Sequence, residues 1–146
     1  MPGEFEDLDV YKEARELRRR VNKLIKLLPA EERYVLVPQM RRAALSVTNN
    51  IAEGHGTRSY RSIISYLYRS RGSVNELLDD LNECEDEGYF KKEHLDDLRK
   101  QARSVIRLIN GYISHLREKL QATEGQRGNR FRRERPSSRS TEQPIH

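Results

Sequence analysis

The sequence predicts an all-α protein: an up-down antiparallel four-helix bundle over residues 1–120, followed by a disordered basic tail over residues 121–146. Three observations carry that prediction. Apolar residues recur at alternating three- and four-residue spacings in successive stretches, which is the period of a helix face. Proline and glycine stand between those stretches and leave only short connections, as antiparallel neighbours require. No segment of useful length alternates with the two-residue period of a strand. Hydrophobic and charged residues each make up 35% of the chain, so the helices must be amphipathic and the core thin.

The first helix is read from Val10, Ala14, Leu17, Val21, Leu24 and Leu28, spaced 4, 3, 4, 3, 4, and Pro29 closes it. The second follows Met40, Ala44, Val47 and Ile51. Pro38 falls in its first turn, where a missing N–H is harmless. Gly54 and Gly56 are expected to end it, with Gly54 in the left-handed cap conformation. The third, about residues 59–87, starts from a Thr57 or Ser59 cap and ends at Gly88. Its face of Ile63, Ile64, Leu67, Val74, Leu77, Leu78, Leu81 and Cys84 is wide enough to be buried on two sides. Within it Ser70, Gly72 and Ser73 permit a close helix approach. Tyr66 and Tyr68 widen the apolar surface beyond one bundle core, which points to self-association. The fourth runs through Leu95, Leu98, Ala102, Val105, Ile109, Tyr112 and Leu116. Periodicity stops after Leu120, and "QATEGQRGNRFRRERPSSRSTEQPIH" has too few apolar groups to offset its ordering entropy.

Several function classes lack support. No apolar run approaches the ~18 residues of a membrane span, and "MPGEFEDLDVY" does not read as a signal peptide. A cytoplasmic protein is the expectation. Cys84 is the single cysteine and lies on the apolar face of helix 3, as a small core residue does. His55, His94, His115 and His146 are scattered, without the three or four convergent ligands a metal needs. "EGHGTRS" lacks the phosphate-loop lysine and follows no strand. Neither an enzyme nor a bound cofactor is expected.

The stretch "SVTNNIAEGHGTRS" raises a different question, because asparagine is a mediocre helix former. Asn49, Asn50, Glu53 and Gly54 read as a polar cap that sets register between helices 2 and 3. In that reading Asn50 and Glu53 bond the exposed helix ends, and Glu53 accepts from the first N–H groups of helix 3. A metal or acid–base site is the alternative, and one carboxylate with one imidazole falls short of it.

The net charge is +5 and unevenly placed: the tail holds six arginines and three glutamates. Lys12, Arg19 and Lys26 recur every seven residues on helix 1, flanked by Arg15 and Lys23. Glu16 is placed to pair with Arg20. Helix 2 adds Arg41 and Arg42, and Arg58 and Arg61 follow its end. These nine cations are the candidate nucleic-acid-binding residues. Helix 4 offers Lys100, Arg103 and Arg107. The acidic end of helix 3, from Glu76 to Glu87, is expected to pair with Arg99, Lys100 and Arg103. Phe131, within the basic tail, is suited to stacking on a base.

Taken together, "FEDLDVY", "RRAALSVTNNIAEG" and "RGSVNEL", in this order and spacing, give a sequence that resembles the four-helix-bundle proteins encoded in intervening sequences of bacterial 23S ribosomal RNA genes. That family is similar in fold to the accessory variability determinant proteins of diversity-generating retroelements. The resemblance covers about Phe5 to Leu120. The sequence departs from the family where Thr48 replaces a common, helix-kinking proline, and at Pro38. The resemblance implies a ring-shaped homo-oligomer, typically a pentamer with a central channel. In the retroelement relatives such a ring binds a reverse transcriptase and its template RNA through basic surfaces. The expected function is therefore a non-enzymatic accessory that binds RNA or an RNA-processing partner. The alternative is a structural homo-oligomer with no nucleic-acid role.

Overall fold

A computed structural model describes residues 3–136. Four helices follow one another: α1 (Asp9–Ile25), α2 (Leu36–Thr57), α3 (Tyr60–Asp86) and α4 (Lys92–Glu134). Short 3₁₀ turns at Phe5–Asp7 and Ala30–Glu32 precede α1 and α2. Each helix packs on its two neighbours, with α4 closing the ring of four against α1. This is the predicted up-down bundle, and no strand occurs among the described residues.

The seams pack as their spacing requires. Leu17, Met40, Ile51, Ile63, Leu67, Leu77, Leu81, Leu95 and Ile109 are all buried in one core. Tyr11, Ile25, Ala43 and Ile113 join them, one position to the side of the expected faces. A 3.6-residue helix drifts against a strict heptad, so flanking residues turn inward along its length. Tyr11 is further fixed by an edge-on contact with Phe5, 4.9 Å between ring centres.

Helix ends depart from the sequence expectation in three places. α1 stops at Ile25, and Pro29 caps the following 3₁₀ turn. α2 does not end at Gly54 or Gly56; it continues to Thr57, and Arg58 takes the left-handed cap at φ 55°. Gly54 is a buried interior residue instead, because a Cβ there would stand 2.9 Å from Tyr66 Cβ. Its small size lets α3 approach α2. Ser70 and Ser73 serve the same interface: Ser70 Oγ donates to Val47 O at 2.7 Å and Ser73 Oγ to Ser46 Oγ at 2.8 Å. Gly72 faces solvent with open space around it.

The tail expectation changes most. α4 runs without a break to Glu134, so residues 121–134 are helical and exposed. Glutamine, alanine, arginine and glutamate propagate a helix well, and no proline intervenes before Pro136. Arg61 holds Glu124, and Arg130 holds Glu134 at 3.1 Å one turn apart. The buried seam still stops at Leu116. Residues 137–146, the rest of the expected tail, lie outside the described residues.

Tyr66 and Tyr68 do not form one adhesive patch. Tyr66 lies over Gly54 on the α2 side, with the Arg69 guanidinium 5.0 Å from its ring centre. Tyr68 lies toward α4, with Arg71 at 4.8 Å and Arg117 at 5.4 Å. Each ring is half-buried within its own chain. Two residues apart on a helix are about 200° apart, which separates them.

Candidate nucleic-acid interface

Thr48 sets the register of α1 against α2. It is buried, accepts from Arg18 Nη1 at 2.8 Å, and donates to Leu45 O at 3.0 Å. Helix α2 is unbroken through this position. Arg18 is the cation the sequence reading passed over. The available signal was its heptad relation to Tyr11 and Ile25, which places it at the edge of the core.

With that register fixed, the predicted cations divide. Arg15, Arg19 and Lys26 lie on the quadrant of α1 toward α2, with Lys12 at its outer edge, and Arg41 faces them from α2. All five are exposed, and the half-buried Arg18 lies between them. Of the α1 carboxylates, Glu13 falls on the other flank and Glu16 stands at the border between the two. Glu13 accepts from Gln101 Nε2 at 2.7 Å, on the α4 side. Glu16 lies 3.8 Å from Arg19 and lines the α1–α4 groove. Glu16 does not take Arg20, because Arg20 donates to Gln101 Oε1 at 2.8 Å. The α1–α2 face therefore gathers six cations from two helices.

The other four predicted residues stand elsewhere. Lys23 turns to the α1–α4 side, where it lines a groove of about 610 Å³ with Arg20, Leu24, Leu27, Phe90 and Leu98. Arg42 points to the far flank of α2, as its spacing from the seam required. Arg58 caps α2 and remains exposed. Arg61 is engaged by Glu124 of α4. Lys100 and Arg107 line a second groove with Glu13 and Asp97, so opposite charges face each other there. Of the three basic residues expected to hold the acidic end of α3, Arg99 alone does so among the described residues. It reaches Glu85 at 2.8 Å, Asn82 at 3.0 Å and Asp96 at 2.9 Å. Burial works against its charge, and the two carboxylates outweigh that and raise its pKa.

The polar cap also proves different from its expectation. Asn50 Nδ2 bonds back to Ser46 O at 2.8 Å and Ser46 Oγ at 3.0 Å, within its own helix. Asn49 and Glu53 are exposed, with no side-chain hydrogen bond among the described residues. Ser59 caps α3, accepting from Ser62 N. The reason is the extra helical turn from Gly54 to Thr57, which carries Glu53 away from the α3 terminus. Asn50 still helps register: it holds Ser46, whose hydroxyl receives Ser73 of α3.

A second polar group lies at the opposite end of the bundle, where α3 meets the start of α2. Asp80 is 4% exposed; Gln39 Nε2 donates to its Oδ1 at 2.5 Å, and Oδ2 has no partner. Burial raises its pKa to about 6; the Gln39 bond opposes this, and Glu76 and Asp79 add to it. Burial, with Asp80 and Glu32 nearby, likewise pushes the Cys84 thiol up to about 11, as befits an unreactive core residue. Tyr89 donates to Glu32 Oε1 at 2.8 Å, which raises the phenol and ties the α3–α4 turn to the α1–α2 connection.

Among the described residues no helix is long and apolar enough to cross a membrane. No curated protein sequence matches the chain. A solved structure from Bacteroides thetaiotaomicron, described as a protein of unknown function from the S23 ribosomal protein family, superposes with a TM-score of 0.66 at 23% identity. The match spans 71% of this chain and 97% of that one, and it supports the bundle fold. Residues 6–111 match the family described as 23S rRNA-intervening sequence protein. That span takes in α1, α2, α3 and the first half of α4, and the chain belongs to this family.

Proposed function

We propose that this protein is a non-enzymatic accessory that binds RNA through its α1–α2 face. The observation that carries the reading is the gathering of Lys12, Arg15, Arg18, Arg19, Lys26 and Arg41, with Glu13 turned to the α4 flank and Glu16 at the border, where it pairs with Arg19. Guanidinium groups suit phosphate through their planar fork. A surface of this kind neutralises several phosphates at once and reads little sequence. Membership of a family named for ribosomal RNA intervening sequences makes RNA the natural polyanion.

In the same reading the chain works as a homo-oligomer, a five-membered ring in which the face recurs with each subunit. The ring presents RNA to a protein that acts on it, such as a reverse transcriptase. Exposed Leu45 and Leu108 on the flanks of α2 and α4 supply apolar area for subunit contact. A structural homo-oligomer without a nucleic-acid role is the competing reading, and the same charges would then serve solubility.

Titration of a labelled single-stranded RNA, followed by fluorescence anisotropy, separates the two. Four to six neutralised phosphates at about −0.7 each in the log–log salt slope predict about a hundredfold loss of affinity between about 50 and about 200 mM salt. The triple variant Arg19→Glu, Lys26→Glu, Arg41→Glu abolishes binding and leaves the light-scattering mass unchanged. Absence of wild-type binding at low salt rejects the RNA reading. A mass equal to one chain at micromolar concentration rejects the ring.

A further inference from the structure

The last third of α4 is exposed along its length and, among the described residues, meets α3 through the Arg61–Glu124 pair without entering the core. Its seam, which buries Ile109, Ile113 and Leu116, continues outward as Leu120, Thr123, Arg127 and Glu134. Residues 121–134 are all exposed and extend about 21 Å at 1.5 Å per residue. They leave the bundle at the end where α2 turns into α3, since Glu124 meets Arg61. Arg127, Arg130, Arg132 and Arg133 lie within this arm and Arg135 follows it. The carboxylates of the arm are already engaged, Glu124 by Arg61 and Glu134 by Arg130.

We propose that this arm docks as a preformed helix into the groove of a bulged RNA stem, with Phe131 stacking on the unpaired base. The proposal rests on the RNA-binding reading above and assigns a second, separate contact to it. Three observations choose the ligand. A helix made for a protein groove carries an apolar stripe at i, i+3, i+4 and i+7. The arm instead has a single large apolar residue, Phe131, 69% exposed. Its cations are distributed around the axis: Arg127 and Arg130 on one side, Arg133 on a flank, and Arg132 nearly opposite. That arrangement suits a groove walled by phosphates on both sides better than one flat surface. The groove of regular A-form RNA is too narrow and deep for side chains to read, whereas bulges and loops offer unstacked bases that stack on aromatic rings. Phe131 therefore selects a bulged stem over a regular one.

Gly125 and Gly128 allow a sharp test, because a Cβ at either would meet no atom within 4 Å. Alanine there makes the arm more helical without adding a contact. If the arm binds as a helix, the full-length Gly125→Ala, Gly128→Ala variant binds a bulged RNA hairpin about threefold or more tighter. Phe131→Ala weakens that hairpin about fivefold or more, as loss of one base stack does, and leaves the same stem without the bulge unchanged. Both variants keep the wild-type urea midpoint, since the arm lies outside the core. Weaker or unchanged binding on glycine replacement overturns helical docking. Tighter binding of a duplex DNA of the same sequence, or an unchanged hairpin affinity in Phe131→Ala, overturns the choice of ligand. Loss of affinity in Arg19→Glu, Lys26→Glu, Arg41→Glu with none in Phe131→Ala rejects the arm and keeps the α1–α2 face. No RNA binding by the wild-type chain rejects both.

Discussion

Replacing Gly54 by alanine sets two opposed effects against each other at one atom. In an open helical position the change favours the helix by about 1 kcal/mol. Here the new methyl would stand 2.9 Å from Tyr66 Cβ and 3.5 Å from Ile63 Cα. Both atoms are tied to the α3 backbone, so rotating a side chain cannot relieve the contact. Relief requires moving α3 away from α2, which also strains the Ser70–Val47 and Ser73–Ser46 bonds. Overpacking of this kind costs about 1–3 kcal/mol. Against the helix gain the expected net loss is about 0–2 kcal/mol, with each kcal/mol lowering Tm by about 2–4 °C at this chain length. Relative to an open-site glycine replacement the deficit is the full ~1–3 kcal/mol. Gly72→Ala is the matched control: it is exposed with open space at its Cβ, and gains about 0.5–1 kcal/mol. Urea unfolding followed by far-ultraviolet circular dichroism, at one fixed protein concentration, reads both variants. A Gly54→Ala protein stabilised as much as Gly72→Ala refutes the close approach of α2 and α3.

Two further outcomes follow from polar groups. Asp80 has a folded pKa near 6 against an ordinary value of 3.8, so the folded state holds more protons between those values. Its share of stability is complete below about pH 4 and is lost as pH rises through 6. Asp80→Asn keeps an acceptor for Gln39. It is expected to stabilise the protein by about 1–3 kcal/mol at pH 7.5 and by little at pH 4; a variant less stable at pH 7.5 than at pH 4, relative to wild type, contradicts this. Arg58→Gly relieves a left-handed, non-glycine backbone and should add about 1 kcal/mol in thermal unfolding. Arg58 lies outside the α1–α2 face, so the same change is expected to leave RNA affinity nearly unchanged, and a large loss in an anisotropy titration contradicts that placement.

The fold was legible because helical period is a local property. Val10 to Leu28 and Leu95 to Leu116 state which face is apolar, and the core assembles from those faces. Helix ends were less legible. Gly54 offered two uses, a left-handed cap or a close approach, and only the position of Tyr66 across the interface selects the second. Arg58 then takes the cap despite its side chain. The exposed helix of residues 121–134 was missed because it has no apolar face, and periodicity detects burial rather than helix.

The candidate site divides along the same line. Sequence alone determined that Lys12, Arg19 and Lys26 recur every seven residues, flanked by Arg15 and Lys23, and that Arg42 turns from the seam. Tertiary structure decided which of them meet. The Arg18–Thr48 bond sets α1 against α2, bringing Arg15, Arg19 and Lys26 toward Arg41. Packing against α4 draws Lys23 to another groove, and Glu124 engages Arg61. Spacing within one helix fixes a direction around its own axis; which neighbour lies in that direction depends on the packing of all four.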